Sequence, residues 1–116
     1  MNKVTIYHNP RCSKSRQTLT LLQERGVAPN VIEYLQTPPS RDELAEILTL
    51  LELTPRELMR KKEAPYIEHN LGEATMSDAD LIDAMVNNPI LIERPIVLAN
   101  GKAVIGRPPE NVLALF

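Results

Sequence analysis

Val4-Thr5-Ile6-Tyr7-His8-Asn9-Pro10-Arg11-Cys12-Ser13-Lys14-Ser15-Arg16 is the stretch on which the fold turns. Val4 to Tyr7 are β-branched, aliphatic or aromatic, which suits a strand inside a sheet. From Ser13 to Arg25 the apolar residues, Leu19 and Leu22 among them, recur at helical spacing, and Gly26 ends the pattern. Val31-Ile32-Glu33-Tyr34-Leu35 then reads as a second strand. Strand, helix and strand in this order normally close as a right-handed parallel crossover. Cys12 stands at the joint between the first strand and the helix.

Beyond Pro38-Pro39 the pattern turns helical. Ser40 with Glu43 forms a capping box, followed by Leu44, Ile47, Leu48 and Leu51 at i, i+3, i+4 and i+7. Thr54-Pro55-Arg56-Glu57 repeats the start signal with proline at the first helical position. Ser77-Asp78-Ala79-Asp80 opens a third helix carrying Leu81, Met85 and Val86, which Pro89 stops. Three helices are therefore expected here. Ile96-Val97-Leu98-Ala99, Asn100-Gly101 and Lys102-Ala103-Val104-Ile105 make a hairpin signal, because Asn-Gly accepts the positive φ angles of a type I′ turn. Pro108-Pro109-Glu110 opens a short last helix, with Val112, Leu115 and Phe116 expected on one face.

These elements predict an α/β fold, a thioredoxin-like four-stranded mixed sheet with a helical insert. The expected organisation is a single thioredoxin-like domain over 1–116 with the insert at about 40–89; a chain of 116 residues is long enough for one core and short for two. In such a fold a cis-proline commonly precedes the hairpin and faces the reactive cysteine, and Pro95 is the candidate. The rarity of cis bonds favours trans at any single proline, so only the fold argument raises it.

Cys12 is the only cysteine. Cysteine reacts as the thiolate, which the free N–H groups of a helix start and nearby cations favour. Arg11, Lys14, Arg16 and His8 surround it in sequence, poor company for the buried, inert cysteine that is the ordinary alternative. Cys12-Ser13-Lys14-Ser15 has the spacing of a redox Cys-x-x-Cys motif with serine second, so an internal disulfide cycle is impossible and turnover requires an outside thiol. The Cys-x5-Arg phosphatase loop fails, since Thr18 stands where its arginine belongs and Arg16 comes two positions early.

Charge and composition exclude other classes. With 15 acids against 13 bases the formal charge is −2, which gives no general attraction to nucleic acid or anionic membrane. No run is apolar enough for a membrane span, and the first residues lack the apolar stretch of a signal peptide, so a cytoplasmic protein is expected. His8 and His69 are too far apart for a ligand pair, so no metal site is expected.

Ile6-Tyr7-His8-Asn9-Pro10 before Cys12, Ser15-Arg16 after it, Arg60, Glu93-Arg94-Pro95-Ile96 and Ile105-Gly106-Arg107-Pro108-Pro109-Glu110 together resemble the glutaredoxin-dependent arsenate reductase family over nearly all of the chain. The resemblance implies a thioredoxin-like fold with a helical insert and Cys12 as nucleophile. It implies an oxyanion clamp of Arg60, Arg94 and Arg107, with His8, Asn9 and Ser15 supporting the thiolate. It further implies arsenate as substrate, glutathione as co-substrate, glutaredoxin as partner, no bound cofactor, and a monomer. Guanidinium groups suit such a clamp, because their paired hydrogen bonds fit a tetrahedral oxyanion as a lysine point charge does not. Taken singly each arginine reads as a solvated side chain; the rigid prolines beside Arg94 and Arg107 favour held ones. Arg11, Lys14, Arg41, Arg56, Lys61 and Lys62 read as surface charge.

Two other functions share the same thiol. One is a general glutathione-dependent thiol reductase, which has no need of three arginines. The other is a redox-sensing regulator that binds RNA polymerase; such relatives usually keep a second cysteine where Ser15 stands.

Overall fold

β1, Thr5–His8, runs through the middle of the sheet, and Ile6 within it is fully buried. The computed structural model describes residues 3–116. β1 leads through the Cys12 loop into α1, Ser13–Glu24, which ends at Arg25 and Gly26, the glycine at φ 77°. The chain returns as β2, Asn30–Glu33, parallel to β1 with Ile6 opposite Val31 and His8 opposite Glu33. β2 is shorter than Val31–Leu35 suggests, because it lies at the sheet edge and turns away after Glu33, leaving Val31 and Leu35 about two-fifths exposed.

The hairpin forms as expected. β3, Ile96–Ala99, pairs antiparallel with β1, and β4, Lys102–Ile105, pairs antiparallel with β3. Asn100 and Gly101 carry φ of 54° and 71°, as a type I′ turn demands. The order β2-β1-β3-β4 is the four-stranded mixed sheet of a thioredoxin-like fold. α1 and a closing 3₁₀ helix, Pro109–Leu115, cover it, and Val4, Ile6, Leu22, Val97, Ala99, Val112 and Leu115 form the core. The short last helix is present and is 3₁₀, but Phe116 is 56% exposed, off the face that buries Val112 and Leu115.

The chain divides into two compact units, one comprising residues up to Thr37 with Arg94–Phe116, the other Pro38–Glu93. The second unit is helical: α2, Arg41–Leu51; α3, Pro55–Leu58; α4, Ala64–Glu68; α5, Asp78–Asn87; and a 3₁₀ turn, Pro89–Leu91. Capping boxes at Ser40/Glu43, Thr54/Glu57 and Ser77/Asp80 start α2, α3 and α5. α5 packs on α2 and α3. Four helices stand where three are expected. The additional one, α4, has no buried residue, and so has no apolar stripe to announce it in the sequence.

Candidate active site

The strand β1 ends in a loop built to hold a thiol. The Asn9 carbonyl accepts the Cys12 N–H at 3.0 Å, and Asn9 Oδ1 accepts the Arg11 N–H at 3.0 Å, so one buried asparagine folds the loop from both of its oxygens. Arg16 Nη1 donates to Pro10 O at 2.9 Å across the outside of the loop. Cys12 becomes the N-cap of α1, half-buried.

Beneath the loop lies Ser15, fully buried. Its Oγ accepts the Asn9 N–H at 3.0 Å and shares a hydrogen bond of 2.6 Å with His8 Nδ1. Burial holds His8 below the ordinary histidine value; Glu33 opposes this and Arg16 adds to it. Burial thus favours the neutral imidazole of His8, which meets the loop through Ser15.

The surroundings of the sulfur shift its equilibrium toward the anion. Burial pushes the Cys12 thiol up, but the Ser15 backbone N–H, then hydrogen bonds from Arg94 and Arg107, then the charge of Arg94 act against it, and together they bring it below the ordinary cysteine value. Arg107 Nη1 lies 3.7 Å from Cys12 Sγ and donates to Arg94 O at 3.0 Å. The two arginines flank the hairpin that Asn100-Gly101 closes, which is how residues 13 positions apart meet at one thiol. The Arg94–Pro95 bond is cis, as the fold argument suggests, and so is Arg107–Pro108, which nothing in the sequence singles out.

Arg60 belongs to the second unit. There the 58–60 and 91–93 segments pair: Arg60 N donates to Leu91 O at 2.7 Å, Glu93 N donates to Leu58 O at 3.0 Å, and Met59 bridges Ile92. This pairing sets Arg60 beside Glu93, and Arg60 Nη1 meets Glu93 Oε1 at 2.7 Å. Glu93, the residue just before Arg94, is a partner of Arg60 that sequence reasoning quotes only as part of a string. Two of the presumed surface cations also have structural partners. Arg56 Nη2 donates to Leu71 O at 3.1 Å and Glu73 O at 2.8 Å, and Arg41 pairs with Asp83 at 2.8 Å. For Arg56 this corrects the surface reading, because carbonyls distant in sequence cannot be seen as partners before the chain folds.

The chain is 58% identical over 114 residues to the uncharacterized protein YfgD of Escherichia coli K12, covering 97% of this chain and 96% of that one. It is 49% identical over 117 residues to a protein of Neisseria meningitidis named arsenate reductase, covering all of both chains. The solved structure titled arsenate reductase from Vibrio cholerae superposes with a TM-score of 0.95 at 54% identity, over 98% of each chain. The ArsC family pattern matches residues 7–115, from the strand that delivers Cys12 to the end of the closing 3₁₀ helix. With the cysteine loop and both hairpin arginines inside that match, the chain belongs to the ArsC family.

Proposed function

We propose that this protein reduces arsenate to arsenite through Cys12, with glutathione as co-substrate and glutaredoxin as the partner that recycles the thiol. The observation that carries the reading is the convergence of Arg94 and Arg107 on the one cysteine, with Arg107 Nη1 3.7 Å from its sulfur. A thiolate flanked by guanidinium groups is equipped both to attack an electrophilic oxyanion centre and to hold its oxygens. The arsenate reductase names carried by relatives 44–49% identical over the full chain support the choice of oxyanion.

In the proposed cycle the Cys12 thiolate attacks arsenic and displaces an oxygen, which leaves as water after protonation. The Arg94 and Arg107 guanidinium groups bind the remaining oxygens. Arg60 is given the same role by the family resemblance. Glutathione then supplies the second sulfur. Arsenic gains two electrons and departs as arsenite, while the two sulfurs, each giving up one, join as a Cys12–glutathione disulfide. Glutaredoxin takes over the glutathionyl group as its own mixed disulfide and returns the Cys12 thiol, and a second glutathione then reduces glutaredoxin, leaving as oxidised glutathione. Ser15 cannot replace it as a resolving thiol.

The test is arsenate-dependent NADPH oxidation coupled through glutathione reductase, with glutathione and glutaredoxin present and arsenite measured directly. Turnover that vanishes in Cys12→Ser is the expected result. Absence of arsenite with the wild-type protein overturns the reading, and reduction of a mixed-disulfide substrate by this protein with glutathione but without glutaredoxin would put a general thiol reductase in its place.

A further inference from the structure

Gly106 is buried, and its φ lies outside the left-handed region, so conformation is not what requires a glycine there. Space is. A Cβ at this position would stand 2.6 Å from Thr18 Oγ1, 3.0 Å from Thr18 Cγ2 and 2.9 Å from Pro95 Cγ. The Gly106 N–H donates to Pro95 O at 2.9 Å, tying the end of the hairpin back to its start.

Thr18 is fully buried on α1, the helix that begins at the thiol. Its hydroxyl proton goes to Lys14 O at 2.8 Å, so the 3.4 Å approach to Gly106 O is close packing. Both neighbours of Thr18 in this contact adjoin an arginine of the site: Gly106 precedes Arg107, and Pro95 follows Arg94. The guanidinium of Arg107 is itself exposed, and the backbone that carries it is what the contact holds.

We propose that Thr18 and Gly106 are positioning residues for Arg107: the side-chain-free backbone at Gly106 seats against Thr18, and this seat sets the reach of the Arg107 guanidinium to Cys12. The inference concerns the distance between a cation and a thiol, and it holds whichever oxidised substrate the thiol meets.

The experiment follows the rate of Cys12 alkylation by iodoacetamide against pH, with circular dichroism and thermal unfolding as checks on folding. Gly106→Ala is expected to raise the alkylation midpoint by at least about half a pH unit, a roughly threefold loss of reactivity below the midpoint. Thr18→Ala is expected to shift it the same way by less, since it removes the seat without forcing the backbone off it. In an Arg107→Ala background, itself raised, neither change adds anything, because the residue through which both act is gone. A general loosening of the fold would add in both backgrounds, and that result overturns the proposal. A wild-type midpoint in folded Gly106→Ala overturns it too. If Gly106→Ala does not fold, Thr18→Ala decides alone, a wild-type midpoint counting against the proposal.

Discussion

Arg107 and Cys12 lie 95 residues apart in the chain and 3.7 Å apart in space, and the same Nη1 that reaches the sulfur is steadied by Arg94 O at 3.0 Å. The contact makes the thiol depend on a side chain at the far end of the hairpin. Together with the Ser15 N–H and Arg94 it draws the thiol below its ordinary value.

The folded thiol is below its ordinary value, so between the folded and unfolded midpoints the unfolded chain holds a proton that the native protein has released. This contribution to stability is fully present above the unfolded thiol value and is lost as pH falls through the folded one. Alkylation against pH should accordingly give a lower midpoint for native protein than for a urea-unfolded control. Arg94→Ala and Arg107→Ala should each move the native curve upward. Coincident native and unfolded curves would remove the activated thiolate.

Arginine geometry should matter as well as charge. Arg94→Lys and Arg107→Lys keep a cation but lose the paired hydrogen bonds, and kcat/KM for arsenate should fall by about 2–4 kcal/mol of transition-state stabilisation, or roughly 30- to 1000-fold. Arg60→Lys should fall in the same range if the family role applies. Steady-state kinetics decide each arginine separately, and unchanged turnover excludes the residue tested.

Ser15→Ala should destabilise the protein by about 1–3 kcal/mol, because the Asn9 N–H and His8 Nδ1 lose their shared buried partner. Urea titration measures this. A loss below a few tenths of a kcal/mol would show that the buried hydroxyl is easily replaced.

His8 provides a separate pH signature. Its folded value is depressed by burial, so the unfolded chain takes up a proton first as pH falls, and stability declines on acidification below about 6.5. Comparing urea midpoints at about pH 7.5 and about pH 5.5 should show a decline that is smaller in His8→Gln. An equal decline in both would assign it to other groups.

Without glutaredoxin, arsenate and glutathione should leave the protein stalled as a one-to-one glutathione adduct on Cys12, visible by intact mass spectrometry and released when glutaredoxin is added. Arsenite accumulating over many turnovers with no adduct would point to another reductant.

Local chemistry was legible in the sequence. Val4 to Tyr7, the caps at Ser40, Thr54 and Ser77, and the Asn100-Gly101 turn each act within a few residues, and each formed the element its composition requires. Part of what lowers the Cys12 thiol was also local, since a helix start and a Ser15 amide are near neighbours by construction. Resemblance placed Arg94 and Arg107, but their meeting at one sulfur depends on hairpin register and on the close packing of Gly106 against Thr18, and no short-range signal records either. α4 escaped notice for the opposite reason: it buries nothing, and a helix without an apolar stripe leaves no period to read. Backbone preference and periodicity act along the chain, so sequence determined them. Distances between side chains remote in sequence are set by packing, so only the tertiary structure could decide them.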